Sequence, residues 1–456
     1  MHVPLLMNHP FQSIAVLLVV VSLAACAHFP VNQPMNESIS SLVAHPRDQA
    51  DDLLVVLTFS GGGMRASALS YGVLQSLADS EITWKGRPRR LLDEVDVISA
   101  VSGGSFTAAY FGLFGDRIFR DYEEAFLKRN VDRELIGQLF SPSAWLKLGS
   151  KYYDRSEMAE DYYDQILFDG AIFADFKLRP GPQILINATD MTLGDGFTFD
   201  TMHYDLICSD LDQYSVARAV TASSAVPGVF STVTLLNHAG ECNYRAPAWV
   251  QSVLAKPDSG DDRINLARKI DSYQQVQERP YIHLLDGGLA DNLGLRALMD
   301  KIRLHHRGPG REPRIELDSG LEKILIIVVN AAASPNTALN HIKDPPSVID
   351  TVDVATTVQV NRYNEETQRL FRQRLEEWRQ AIRVARCGDE HCDAEPDIYL
   401  VNASLQRLKN EDERDFLQHQ PTSFALKADA VDRLIDAGRR LLVNSTEMQQ
   451  FLGSVR

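Results

Sequence analysis

The chain has 456 residues, 45% of them hydrophobic and 23% charged, a composition that allows a large core. Its formal net charge of -15 argues against a nucleic-acid partner, because phosphate binding needs clustered Lys and Arg. The same excess of acid argues against attraction to anionic lipid heads by charge alone, so membrane contact would need an anchor or a local apolar surface.

The first predicted element is apolar. Phe11 to Leu23 is interrupted only by Gln12, Ser13 and Ser22. It is too short for a typical spanning helix and fits the core of a secretory signal. It ends in Leu23-Ala24-Ala25-Cys26, which resembles the bacterial lipoprotein box. That resemblance implies cleavage before Cys26, lipidation of its thiol and a lipid anchor in the bacterial envelope. The expected place is the outer membrane, facing the periplasm or the cell surface. Two features depart from the pattern: no Lys or Arg precedes the apolar run, and Ala27 follows the cysteine. The alternative is an uncleaved anchor or a plain secretory signal. Ala27 to Asp52 is polar, carries Pro30 and Pro34, and reads as a tether.

From Leu53 the pattern changes. Leu53 to Phe59 is a largely apolar run of strand length, as expected where both faces of a parallel sheet are buried. A glycine cluster follows, then Ala66 to Leu77 at helical spacing. Val95 to Ser99 predicts the next strand and leads through a glycine turn into an apolar helix, Phe106 to Phe114. Gln183 to Asn187, Tyr281 to Leu285 and Lys323 to Val329 predict further strands. Strands alternating with helices indicate an α/β sheet, which binds ligands at the carboxyl ends of its strands. Past Ala333 the chain reads as mostly helical. Val360, Tyr363, Leu370, Phe371, Leu375, Trp378 and Ile382 form a stripe near helical period, expected to pack on the sheet rather than meet a lipid or a partner.

Cysteines 208, 242, 387 and 392 are even in number, which in an exported chain points to disulfides. The most local of the three possible pairings is Cys208–Cys242 with Cys387–Cys392. Cys387, His391 and Cys392 as metal ligands are the alternative, but their run lacks a second spaced pair, and no metal is expected.

Ala100-Val101-Ser102-Gly103-Gly104-Ser105 follows a predicted strand and opens a helix. A serine on so sharp a turn exposes its hydroxyl and requires small neighbours. Ala100 stands where the usual Gly-x-Ser-x-Gly elbow has its first glycine. The helix beyond Ser102 favours developing negative charge. Taken alone, this is also the pattern of a plain strand-to-helix turn. Ser60-Gly61-Gly62-Gly63-Met64-Arg65 adds weight, since three glycines between strand and helix can point backbone N–H groups into one concavity. Such a concavity is an oxyanion hole for acyl transfer. A phosphate loop competes, but the Lys-[Ser/Thr] of the nucleotide motif is missing. Arg65 adds positive charge for a lipid phosphate or the oxyanion, or bridges surface acids.

Asp286 ends a predicted strand and opens Asp286-Gly287-Gly288-Leu289-Ala290-Asp291-Asn292. A carboxylate there accepts the serine proton directly if it lies within hydrogen-bond reach. Asp291 and Asn292 read as caps of the helix from Leu293.

In their order, Gly61-Gly62-Gly63-x-Arg65, the Ser102 elbow and Asp286-Gly287-Gly288 resemble the patatin-like phospholipases. Ala222-Ser223-Ser224-Ala225-Val226-Pro227-Gly228-Val229-Phe230 and Asp291-Asn292-Leu293 extend the resemblance over Leu53 to Val329. It implies a three-layer α/β/α fold with a mainly parallel central sheet. It also implies Ser102 as nucleophile, Asp286 as general base and the glycine loop as oxyanion hole, with no histidine and no cofactor. Ser60 departs from the Asp that many patatins carry before the glycines and is closer to the cytosolic animal phospholipases. Gln420 to Leu426, followed by Val431 to Gly438, resembles the tail of bacterial patatin-like lipoproteins and is assigned structure rather than chemistry.

The expected organisation is a signal peptide over 1–25, a tether over 26–52, a patatin-like catalytic domain over 53–333 and a mostly helical C-terminal extension over 334–456. The expected activity is acyl-ester hydrolysis on a phospholipid or another acyl-ester lipid. One rival is an α/β-hydrolase with a Ser–Asp–His triad, for which His305, His306, His341, His391 and His419 are available by order. The other is a non-catalytic surface binding module on a hydrolase fold.

Overall fold

A sheet of eight strands organises the chain. The computed structural model describes residues 31–35, 52–139, 153–257, 263–305, 321–334, 340–341, 343, 345–387 and 395–455. Cys26 and the expected signal peptide lie outside them.

In chain order the strands are β1 (Leu53–Phe59), β2 (Glu81–Trp84), β3 (Arg87–Arg90), β4 (Val95–Val101), β5 (Gln183–Asp190), β6 (Asp195–Phe199), β7 (Val233–Leu236), β8 (Tyr281–Asp286), β9 (Lys323–Asn330) and β10 (Asp397–Ser404). Strands β2 and β3 form a separate hairpin. The main sheet runs β10-β9-β1-β4-β5-β8-β7, with β6 also paired to β5. Every pair from β10 to β5 is parallel, while β6 and β8 run antiparallel to β5, and β7 antiparallel to β8.

The apolar runs follow from burial on both faces. Val55, Leu57 and Phe59 of β1 face one core, while Leu54 and Val56 face the other. The first core is covered by α1 (Gly63–Ala78) and α2 (Gly103–Phe114). Helices α3 (Arg155–Tyr163) and α4 (Val216–Ser223) add to the first core, while α5 (Leu295–His305) and α6 (Val348–Cys387) cover the second. Phe371, Leu375, Trp378 and Ile382 of α6 pack on Ile324, Ile326 and Val328 of β9, so the helical stripe does meet the sheet. Helix α7 (Ala428–Val443) buries Val431, Leu434 and Leu442 in the first core, and α8 (Thr446–Ser454) follows it. Among the described residues no helix is long and apolar enough to cross a membrane.

Two features depart from the sequence expectations. Strand β10 lies in the segment read as mostly helical. Its apolar run, Ile398 to Val401, is only four residues long and half-exposed at the sheet edge, and pairing with β9 settles it as strand. Residues 31–35, read as tether, are held on the domain. Asn32 donates to Ser209 Oγ (2.6 Å) and to the Leu236 carbonyl (2.8 Å), and accepts from the Leu236 N–H (2.8 Å). Beside this contact Cys208 and Cys242 form a disulfide, their Cα atoms 5.5 Å apart. Cys387 is disulfide-bonded too. Cys392 and His391 lie outside the described residues.

Candidate active site

Strand β4 delivers Ser102 to the carboxyl edge of the parallel strands, where α2 begins. The turn is sharp: Ser102 has φ 48°, a left-handed value that a residue with a Cβ adopts only when its surroundings hold it there. The hold comes from Ser223 at the end of α4. Its Oγ accepts from the Ser102 N–H (2.8 Å) and lies 3.0 Å from Ser105 Oγ. It donates its own hydrogen to the Asn187 carbonyl on β5 (2.6 Å). In the sequence Ser223 lies in the family-like run Ala222 to Phe230, and no local signal there gives it a role.

Asp286 reaches the same place from the opposite direction. Strand β8 is antiparallel to β5, with Asp286 opposite Ala188, and β5 separates β8 from β4. Two strand spacings amount to roughly 10 Å, which the two side chains close. The Ser102 hydroxyl donates to Asp286 Oδ2 at 2.8 Å, and Asp286 Oδ1 accepts from the Gly288 N–H at 2.7 Å. Thr189 Oγ1 donates to the Asp286 carbonyl (2.8 Å) and accepts from the Ala290 N–H (3.1 Å), fixing the turn. Ser102 is 4% exposed and Asp286 9%. Burial pushes the Asp286 carboxyl up to about 6, against the pull of its hydrogen bonds from Gly288 and Ser102. At neutral pH it is therefore mostly ionised and is a stronger base than an ordinary aspartate.

Among the described residues no histidine hydrogen-bonds Ser102 or Asp286. His419 sits on the surface with its Nδ1 at the Asp415 carbonyl, and His341 is exposed. The side chain of His305, together with His306 and His391, lies outside the description.

The glycine loop leaves β1 and opens α1 against the elbow. A Cβ on Gly103 would stand 2.0 Å from the Gly63 carbonyl oxygen, so the two helix starts meet only because the residue is glycine. Both positive helix ends thus converge beside Ser102. The three glycines are not equivalent. The Gly61 N–H donates to the Asn292 carbonyl (3.0 Å), which removes it from the oxyanion donors expected from the sequence. Gly62 (φ 139°) and Gly63 (φ 58°) adopt backbone angles that favour glycine, and among the described residues no acceptor meets their N–H groups.

Arg65 neither bridges surface acids nor turns its hydrogen bonds toward the dyad. It is 2% exposed. Its Nε donates to the Ala331 carbonyl (2.7 Å), its Nη1 to the Gln420 carbonyl and its Nη2 to Thr422 Oγ1 (3.3 Å). Asp291 caps α5, its Oδ2 accepting from the Arg296 N–H at 2.6 Å. Asn292, expected to share that role, instead places its carbonyl on the Gly61 N–H.

These features define an α/β protein with a buried serine–carboxylate pair beside two free backbone donors. The model of the patatin-like phospholipase family matches residues 57–299, more than half of the chain, and the chain belongs to that family. No curated protein matches the sequence. Among solved structures, human GIVD cytosolic phospholipase A2 is similar at 14% identity and a TM-score of 0.42, over 88% of this chain and 62% of that one. The same human protein in complex with methyl gamma-linolenyl fluorophosphonate gives 15% identity and 0.39, over 88% and 58%. VipD from Legionella pneumophila gives 12% and 0.30, over 88% and 66%. The chain spans less than two thirds of the length of each.

Proposed function

We propose that this protein is a lipid acyl hydrolase that works through a Ser102–Asp286 dyad and an acyl-enzyme. The observation that carries the reading is the 2.8 Å hydrogen bond from Ser102 Oγ to a buried, proton-hungry Asp286. In the first half-reaction Ser102 Oγ attacks the acyl carbonyl carbon while its proton passes to Asp286 Oδ2. The carbonyl oxygen gains negative charge, which the Gly62 and Gly63 N–H groups stabilise. The tetrahedral intermediate collapses, the alcohol leaves with the proton from Asp286, and Ser102 stays acylated. Asp286 then takes a proton from water, whose oxygen attacks the acyl carbon. Collapse releases the fatty acid, and the proton returns to Ser102 Oγ.

An apolar substrate suits the approach. Val229 and Leu289 are exposed apolar side chains, and Leu289 follows Asp286 by three residues. Incubation with defined phospholipids, lysophospholipids and short acyl esters, with products read by mass spectrometry, tests the reading. Release of fatty acid is expected. Absence of hydrolysis on every acyl ester rejects it.

We further propose the lipid anchor at Cys26, in the bacterial envelope. From Cys26 to Asn32 the chain reaches at most about 20 Å. With Asn32 held on the domain, a lipidated Cys26 would keep the Cys208–Cys242 side close to the membrane. Wild-type protein that stays soluble and carries no acyl mass would reject the anchor.

A further inference from the structure

The segment Gln420–Ala425 crosses the back of the glycine loop and touches both helices that start beside Ser102. On α1, the Met64 N–H donates to the Ser423 carbonyl at 2.8 Å, and a Cβ on Gly63 would lie 2.6 Å from that same oxygen. The Arg65 guanidinium reaches Gln420 and Thr422, as described above. On α2, the ring of Phe424 packs on Phe106 with centroids 5.0 Å apart. The backbone of Phe424 is held on both sides: its N–H donates to the Asp132 carboxylate (3.2 Å), and its carbonyl accepts from the Val131 N–H (3.2 Å).

The loop needs such a hold. Oxyanion donors help only when they point at the place where charge develops. Gly62 and Gly63 sit at backbone angles that glycine leaves easily. Arg65 supplies stiffness, because a buried guanidinium is tolerable only with its donors satisfied in fixed directions. Its acceptors are two carbonyls and a hydroxyl, and two of the three belong to the crossing segment. Burial pulls its pKa down to about 10, with no carboxylate offsetting that shift.

We propose that Gln420–Phe424 is a working part of the oxyanion site. By gripping Met64, Arg65 and Phe106 it sets the direction of the Gly62 and Gly63 N–H groups, with Thr422 and Phe424 as positioning residues. The inference rests on the hydrolase reading and gives the C-terminal region a part in turnover.

The test uses the full chain with Thr422→Val, Thr422→Ser and Phe424→Leu, assayed on a soluble acyl ester. Thr422 is exposed, so Thr422→Val removes one acceptor without opening the core. A fall in kcat of about tenfold is expected for Thr422→Val and Phe424→Leu. KM should hold, the acid limb of activity should stay near pH 6, and Thr422→Ser should restore the rate. Unchanged kcat in Thr422→Val overturns the proposal. So does a loss carried by KM or by a shifted acid limb, since that would place the effect on substrate binding or on Asp286. A wild-type protein that neither hydrolyses esters nor reacts with a serine-directed phosphonate rejects the hydrolase reading and this inference with it.

Discussion

The Ser102 N–H donates to the Ser223 hydroxyl across 2.8 Å, and that hydroxyl passes its own hydrogen to the Asn187 carbonyl. The strained elbow is thus tied to the strand that separates Ser102 from Asp286. Ser223→Ala leaves a buried N–H unpaired at a cost of about 1–3 kcal/mol. It also loosens the Ser102 hydroxyl, so kcat should fall roughly ten- to hundredfold with KM little changed. Denaturant melts and steady-state kinetics check this, and wild-type kcat in Ser223→Ala would remove Ser223 from the elbow's support.

Ser102→Ala and Asp286→Asn should each abolish ester hydrolysis in a folded protein. Asn keeps the size of Asp and still meets the Gly288 N–H, but it takes no proton from Ser102. The two groups act as one unit, so the double variant should be about as inactive as either single one. Phosphonate labelling and turnover of all four proteins read this out. Labelling at another serine, or full activity in Asp286→Asn, shows a different catalytic pair.

The carboxyl of Asp286 sets two pH effects. With Asp286 as the proposed base, activity would require its ionised form, so kcat/KM should fall tenfold per pH unit below about pH 6. Stability moves the other way. An unfolded aspartate releases its proton near 3.8, the folded one near 6, so between these values the folded state binds more protons. Its contribution to stability is complete below the lower value and is lost as pH rises through the upper one. Asp286→Asn removes that loss and should stabilise the protein by about 3 kcal/mol at neutral to alkaline pH, with the gain vanishing below about pH 4. Melts of both proteins across this range measure it. A pH-independent difference contradicts the burial argument.

Gly62→Val should damage turnover more than stability. A β-branched side chain at φ 139° strains the loop and turns its N–H away. Loss of one oxyanion donor lowers the rate by about 10²–10³. Gly61→Ala keeps the N–H that the Asn292 carbonyl already occupies, but its Cβ would come 2.5 Å from Asn292 Oδ1, which must swing aside, and 3.3 Å from Ser102 Cβ, so it should lower turnover by crowding Ser102. Steady-state kinetics and denaturant melts of Gly62→Val check this, and unchanged turnover in a folded Gly62→Val protein would show that the loop is not the oxyanion hole.

Local signals were enough for much of this. The apolar runs of β1, β4 and β9 mark strands buried on both faces, and small residues around Ser102 mark a turn that a larger side chain would not make. Glycines before a helix and an aspartate at a strand end name the chemical parts, and none of these needs a distant partner to be recognised. The assembly of the parts was decided by tertiary structure. Asp286 arrives at Ser102 because only the end of β8 pairs with β5, antiparallel and with Asp286 opposite Ala188, and direction and register are properties of the pairing, not of the run Tyr281–Asp286. Which glycine N–H stays free depends on the Asn292 carbonyl, more than two hundred residues away. Arg65 reads as charge for a lipid phosphate, for the oxyanion or for surface acids until the Gln420 and Thr422 acceptors close over it. Hydrogen bonds reach only about 3 Å, so groups distant in sequence share one only after the sheet and helices have packed.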